Sequence, residues 1–330
     1  MMKNEYVLTG EFEAFSREWA DSEPYVTAHT SGSTGTPKEV RLAKADMLQS
    51  ARSTVDFFGL GADSSLVCPL SAGYIAGKMM LVRAEVCGGR LVTIAPSNRP
   101  FDALQPCPER IDLMCVVPSQ VENLLESPVA ASSLVNLIVG GAPLSPELER
   151  RLASAPWRSY ATYGMTETCS HVALRRIGET VYHALPGISF TTDASECLAV
   201  HTEAFGFGSL QTRDVVRLLS STSFEWLGRA DFVINSGGVK LHPELLERRL
   251  APYLDYRFFI CGTSHPKWGE AVHLVIEGTR EQLSEESLKD ICRRVLPRYA
   301  APYRISYVDT LPLTCGGKLD RRFYSRTMSN

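Results

Sequence analysis

The sequence predicts an α/β protein. A large N-terminal domain holds a mainly parallel, helix-covered sheet and a small barrel-like subdomain, and a small α+β domain follows. Three observations predict it. Between about residues 40 and 160, apolar strand-like runs alternate with helical stretches, the pattern of parallel strands joined by crossover helices. From about 178 to 227 the runs become short and are broken by Gly, Ser, Thr and Asp, which suggests an antiparallel or barrel-like subdomain. After Arg229 comes a compact mixture of strand and helix patterns, so the chain divides into 1–229 and 230–330, with the boundary near Gly228 to Asp231.

Phe12, Phe15 and Trp19 fall at helical spacing and predict an amphipathic helix over 11–20. Tyr25-Val-Thr-Ala28 reads as a short strand. The strand-like runs 66–70, 90–94, 113–117 and 137–139 alternate with helices at 44–58, 75–87, 118–126 and 146–153. Within the broken region, 197–201 and 215–219 are strand candidates. The last part carries strands at 257–261, 272–276 and 304–308 and a helix at 284–295, with no tandem repeat or low-complexity tract anywhere.

A chain of 330 residues fits roughly two domains of about 150 residues. With 44% hydrophobic and 22% charged residues it has ordinary globular composition. The formal charge of −3 supplies no global field to recruit nucleic acid or an anionic membrane, so any anionic ligand must be held by local groups. The nine cysteines form no C-x-x-C pair and the seven histidines never approach zinc-ligand spacing, which reads as reduced thiols. The first residues lead into a polar segment, and no run approaches 18 apolar residues. No membrane span and a cytoplasmic location are therefore expected, with the oligomeric state open and a homodimer among the options.

The run Thr30-Ser-Gly-Ser-Thr-Gly-Thr-Pro-Lys38 carries the strongest chemical signal. Gly32 and Gly35 permit a backbone that turns successive N–H groups inward as an anion-binding nest, while Ser31, Ser33, Thr34 and Thr36 add donors and Lys38 adds charge. It does not fit the G-x-x-x-x-G-K-[ST] phosphate loop: Pro37 stands where that pattern needs Gly, and Glu39 where it needs Ser or Thr. A flexible linker is the competing reading of such a run taken alone.

Five further stretches follow in order: Gly140-Gly-Ala-Pro143, Tyr163-Gly-Met-Thr-Glu-Thr168, Thr212-Arg-Asp214, Gly228–Lys240 and Pro312-Leu-Thr-Cys-Gly-Gly-Lys318. Together with the glycine-rich run, over residues 27 to 322, the set resembles the adenylate-forming superfamily of acyl- and aryl-CoA ligases, luciferases and peptide-synthetase adenylation domains. The resemblance implies a two-step ligation. A carboxylate attacks the α-phosphate of ATP to give an acyl-adenylate and pyrophosphate; a thiol, usually of coenzyme A, then displaces AMP.

By the same resemblance, Thr30, Ser31, Gly32, Ser33, Thr34, Gly35 and Lys38 hold the β- and γ-phosphates. Thr166 contacts the α-phosphate, and Glu167 binds Mg2+. Tyr163 packs on adenine beside Gly164, Gly141, Ala142 and Pro143. Asp214 accepts from the ribose hydroxyls, and Arg229 supports ribose or phosphate. Lys318 is the catalytic lysine of adenylation. Asp231 is the hinge about which the C-terminal domain swings as a mobile lid, and Ser236, Gly237, Gly238 and Lys240 border the coenzyme A tunnel in the second state.

The chain departs from the family pattern in having little sequence before the phosphate-binding run, and in Arg213, which stands where many relatives carry Gly. The segment Gly73–Arg83, with Thr166–His171, is most similar to the compact bacterial branch that ligates o-succinylbenzoate (2-succinylbenzoate) to coenzyme A. Such a substrate keeps a second carboxylate, and a buried unpaired anion costs several kcal/mol. Lys78 or Arg83 is the candidate partner, with Tyr74, Gly140, Thr168 and Ser170 around the acid. Open alternatives are another aryl- or acyl-CoA ligase, an adenylation protein serving a carrier thiol, and a non-catalytic nucleotide-binding protein.

Overall fold

The computed structural model describes residues 6–30, 38–104, 106–279, 284–312 and 319–321. Strand β1 (Tyr6–Val7) and helix α1 (Gly10–Ala20) precede an antiparallel hairpin of β2 (Tyr25–Thr30) and β3 (Lys38–Ala43). There follow α2 (Lys44–Phe58), β4 (Ser65–Cys68), α3 (Ile75–Cys87), β5 (Arg90–Thr93), α4 (Pro100–Ala103), β6 (Leu113–Val116), α5 (Pro118–Leu125), α6 (Pro128–Ser133), β7 (Asn136–Val139), α7 (Pro146–Ala153) and β8 (Arg158–Gly164). This is the alternation the hydrophobic pattern predicts.

Local chemistry sets the helix bounds. Ser145 caps α7 by accepting from the Leu148 N–H at 3.2 Å, with Pro146 in the first turn, where a missing N–H removes no bond. Gly88 ends α3 in the left-handed region at φ 70°, which a side chain would oppose. Helix α3 is apolar nearly all round, and Gly77 through Ala84 are all buried, so Lys78 and Arg83 are carried inside with it.

Strands β9 (His171–Arg176), β10 (Val181–Ala184), β11 (Ile188–Thr192), β12 (Cys197–Thr202), β13 (Ser209–Ser220) and β14 (Ser223–Arg229) belong to the same sheet, with β9 antiparallel to both β8 and β10. Its order is β1-β5-β4-β6-β7-β8-β9-β10-β14-β13-β12-β11. Pairing is parallel from β1 to β8 and becomes antiparallel at β8–β9. The region expected as barrel-like is thus hydrogen-bonded in series onto the parallel strands. Val67, Met114, Val116, Leu137 and Val139 pack with Val121, Leu124, Leu152 and Trp157 in one apolar core.

The remaining elements are β15 (Ile234–Ser236), β16 (Val239–Leu241), α8 (Pro243–Leu250), β17 (Phe258–His265), β18 (Gly269–Glu277), α9 (Glu285–Val295) and β19 (Arg304–Val308). The five strands form a mixed sheet in which β18 pairs antiparallel with β17 and parallel with β19. Leu246, Leu250, Leu288 and Cys292 cover it through Ile260, Val272 and Leu274. Each fully buried leucine of this kind contributes about 2 kcal/mol.

The chain forms two compact units. Unit 1 comprises 1–191, 200–210 and 218–224; unit 2 comprises 192–199, 211–217 and 225–330. Among the described residues, no helix is long and apolar enough to cross a membrane.

Candidate active site

In unit 1 the motif residues gather where strands end. Gly140, Gly141, Ala142 and Pro143 leave the C-terminal end of β7, and Gly164 through Glu167 leave that of its parallel neighbour β8. In open α/β sheets, ligands bind outside such carboxyl ends. Gly164 is required by close approach: a Cβ there would lie 2.2 Å from the Ser170 carbonyl oxygen.

The chain then turns through a one-turn helix, Thr166–Thr168, into β9. The buried Cys169 holds φ 62°, uncommon for a residue with a side chain. Thr168 fastens the turn: its hydroxyl oxygen accepts from the Met165 N–H at 3.0 Å and lies 2.7 Å from the Ser170 carbonyl oxygen. Thr166 is half-buried and Glu167 exposed. Tyr163 is held by aromatic edges, its ring centroid 5.0 Å from Phe224 and 5.9 Å from Tyr182.

The β2–β3 hairpin packs beside this turn. Thr30 and Lys38 face each other in register at its open end, and Ser31, Gly32, Ser33, Thr34 and Gly35 lie outside the described residues. Lys318 also lies outside them. Among the described residues, no cluster of three or more His, Cys, Asp or Glu able to hold a metal ion occurs. A lone exposed carboxylate such as Glu167 suits magnesium, which keeps several waters and shares phosphate oxygens.

The two candidate pocket cations differ. The Lys78 ammonium is 3.0 Å from a Glu18 carboxylate oxygen and 4.0 Å from the Phe15 ring centroid, so its charge is already matched. Together with Glu11, Ala72 and Gly73 these residues line a cavity of about 310 Å³. Tyr74 is 58% exposed just before α3.

Arg83 is 1% exposed and has no carboxylate partner among the described residues. Its Nη2 donates to Ser170 Oγ at 2.8 Å and lies 3.5 Å from His171 Nδ1, Nη1 lies 3.5 Å from the Met80 sulfur, and the buried Nε has no partner. Burial holds the guanidinium below its usual pKa. Burial, with the Arg83 charge, holds His171 well below the ordinary histidine value. Cys68 and Cys115 stand near the same guanidinium, and burial pushes both thiols up, Cys115 to about 11.

In unit 2, Asp214 is 7% exposed on β13; its Oδ1 accepts from Trp226 Nε1 at 3.1 Å and lies 3.7 Å from Arg229 Nη1. Arg229 Nη2 reaches Asp231 at 3.0 Å, and Arg213 donates to the other Asp231 oxygen at 2.9 Å through Nε. The ribose and hinge candidates are therefore linked through Arg229, and Arg213, the departure noted in the sequence, is the second cation on Asp231. Partial burial opposes ionisation of Asp231, but the hydrogen bonds and charges of Arg229 and Arg213 hold its carboxyl below the ordinary value. The Gly237 N–H donates to the Trp268 carbonyl at 2.9 Å; Gly238 and Lys240 are exposed and Ser236 is half-buried.

The sequence profile of AMP-binding enzymes matches residues 6–194. The chain belongs to the AMP-binding enzyme family. An acyl-CoA synthetase (AMP-forming)/AMP-acid ligase II-like protein from Dyadobacter fermentans is 32% identical, with 96% of this chain and 93% of that one covered and a TM-score of 0.63. The 2-succinylbenzoate–CoA ligase of Listeria innocua is 26% identical over 95% of this chain and 72% of its own length. The indoleacetate–CoA ligase of Aromatoleum aromaticum is 25% identical over 90% and 66%. The fold is shared with o-succinylbenzoate coenzyme A synthetase from Bacillus subtilis in complex with ATP and magnesium ion, at a TM-score of 0.76 and 22% identity over 92% and 69%.

Asp214 offers this AMP-binding enzyme two acceptor oxygens inside a buried, hydrogen-bonded setting. Asp214→Ala is expected to weaken ATP binding by about 1.5–3 kcal/mol, the range for hydrogen bonds to a charged group. Calorimetry on the folded variant checks this, and an unchanged ATP affinity removes the ribose role.

Proposed function

We propose that this chain is an ATP-dependent, AMP-forming acid–thiol ligase that activates 2-succinylbenzoate and transfers it to coenzyme A. The observation that carries the choice of acid is Arg83, a buried guanidinium with an unpartnered Nε and no carboxylate beside it among the described residues. A second carboxylate on the substrate supplies the missing anion. Lys78 is not assigned this role, because Glu18 already holds it. The curated relative from Listeria innocua, named for the same acid, supports the reading.

In the first step an oxygen of the aliphatic carboxylate attacks the α-phosphorus, the bond to the bridging oxygen breaks, and pyrophosphate leaves. Two anions must approach, so the chain's work is positioning and charge neutralisation. Residues 30–38 hold the β- and γ-phosphates, Thr166 donates to the α-phosphate, and Lys318 places a point charge where negative charge shifts. Magnesium, when bound at Glu167, supplies further neutralisation of the phosphates. Asp214 and Arg229 hold the ribose. In the second step the thiol sulfur attacks the acyl carbon and AMP leaves, with residues 236–240 bordering the incoming thiol.

Acid-dependent pyrophosphate exchange over a panel of carboxylates, repeated with coenzyme A, tests this. 2-Succinylbenzoate is expected to give the highest specificity constant. 4-Phenyl-4-oxobutanoate, which lacks the aromatic carboxylate, should perform poorly because it leaves the site's polar groups unpaired. A clear preference for a fatty acid overturns the choice of acid and leaves the adenylation chemistry standing.

A further inference from the structure

His171 opens β9 directly after Ser170 and is 6% exposed. Its Nε2 lies 3.1 Å from Thr54 Oγ1 on α2, and that hydroxyl also lies 3.1 Å from the Ser50 carbonyl oxygen one turn earlier. A threonine hydroxyl has one hydrogen. Given to the Ser50 carbonyl, it leaves the Thr54 oxygen only as an acceptor, so Nε2 of His171 carries the ring proton. The other end of the ring agrees. Nδ1 faces Arg83 Nη2 at 3.5 Å and Ser170 Oγ at 3.4 Å, and a guanidinium has donors only, so Nδ1 presents its lone pair. Burial keeps the ring neutral and is consistent with one proton.

We propose that His171, fixed as the Nε2–H tautomer by Thr54, is a positioning residue that holds Arg83 and Ser170 for the second carboxylate of the acid substrate. The proposal rests on the reading of Arg83 given above. Arg83 Nη2 donates to Ser170 Oγ, so the Ser170 hydrogen is left to point at His171 Nδ1 or at an incoming carboxylate oxygen. A neutral acceptor behind the guanidinium steadies it without discharging it, whereas a carboxylate in the same place would neutralise the charge the substrate needs. This arrangement makes His171 a determinant of which acid is accepted, and it acts through Arg83 without touching the reacting carboxyl.

The test compares 2-succinylbenzoate with 4-phenyl-4-oxobutanoate in full-length His171→Phe, His171→Asn and Thr54→Val, reading kcat and KM for each acid. His171→Phe keeps ring volume and removes both nitrogens; the ratio of specificity constants for the two acids is expected to fall about tenfold or more, the scale of one lost charge-assisted hydrogen bond. The fall should lie in KM for 2-succinylbenzoate, because the contact is remote from the reacting carboxyl. His171→Asn, which returns an acceptor near the Nδ1 position, is expected to restore much of the ratio. Thr54→Val, which removes the group fixing the tautomer, should lower it in the same direction and gives the answer should His171→Phe fail to fold. A ratio unchanged in folded His171→Phe or Thr54→Val, or equal losses for both acids, overturns the positioning role. Equal specificity constants for the two acids in the unaltered protein overturn the reading of Arg83 on which it stands.

Discussion

Lys318→Ala is expected to abolish acyl-adenylate formation while sparing thioester formation from supplied acyl-adenylate. During attack on the α-phosphorus, charge moves onto the bridging oxygen, and a lysine provides a compact cation on a long stem that follows it. Loss of one such stabilising donor raises a barrier by about 2.7–4 kcal/mol, a factor on the order of 10²–10³. Acid-dependent pyrophosphate exchange reads the first half-reaction, and coenzyme A thioester formation from synthetic acyl-adenylate reads the second. Asp231→Pro should do the converse: it fixes φ near −65° at the hinge candidate and removes the carboxylate that Arg213 and Arg229 share. If both variants lose the same half-reaction, domain alternation about Asp231 is not how this chain works.

Arg83→Met is expected to lower the specificity constant for 2-succinylbenzoate by on the order of 10²–10³-fold, since leaving one partner of a buried charge pair alone costs about 3–5 kcal/mol. Methionine fills similar space, so the effect reports the lost charge more than a cavity. 4-Phenyl-4-oxobutanoate should lose far less, which makes discrimination between the acids the quantity to measure. Arg83→Lys should recover only part, because an ammonium lacks the planar fork that reaches Ser170 and the substrate together. Comparable losses for both acids in folded Arg83→Met separate Arg83 from carboxylate recognition.

Local patterns carried the fold reading. Helices α3 and α7 run over 75–87 and 146–153 as the apolar spacing and the flanking Gly88 and Ser145 require. Partners distant in sequence were hidden. Tyr25–Ala28 reads as a strand, but its pairing with Lys38–Ala43 depends on a hairpin whose second strand has no strong apolar signal. The strands between about 178 and 227 read as a small barrel-like subdomain because Gly, Ser, Thr and Asp interrupt them. Their pairing into one sheet with β9, first made by β10, is a long-range feature that the local pattern does not carry. At the site, Lys78 and Arg83 are indistinguishable in a run of helix-forming residues. Glu18, 60 positions earlier, is what separates them. His171 gave no metal-spacing signal, and its contacts with Thr54 and Arg83 span 117 and 88 positions. Arg213 registered only as an odd residue beside Asp214, since its partner is Asp231.

An acyl-adenylate is a mixed anhydride that will acylate whatever strong nucleophile it meets, and the thiolates of the protein itself are the nearest rivals to the intended acceptor. The eight cysteines among the described residues are all free. Burial raises the pKa of every one, Cys115 and Cys292 to about 11, Cys169 and Cys261 to about 12, and Cys68, Cys87, Cys107 and Cys197 in the same direction. At neutral pH these sulfurs remain protonated, and a thiol lacks the reactivity of its anion. Self-acylation is thereby suppressed at these eight positions among the described residues.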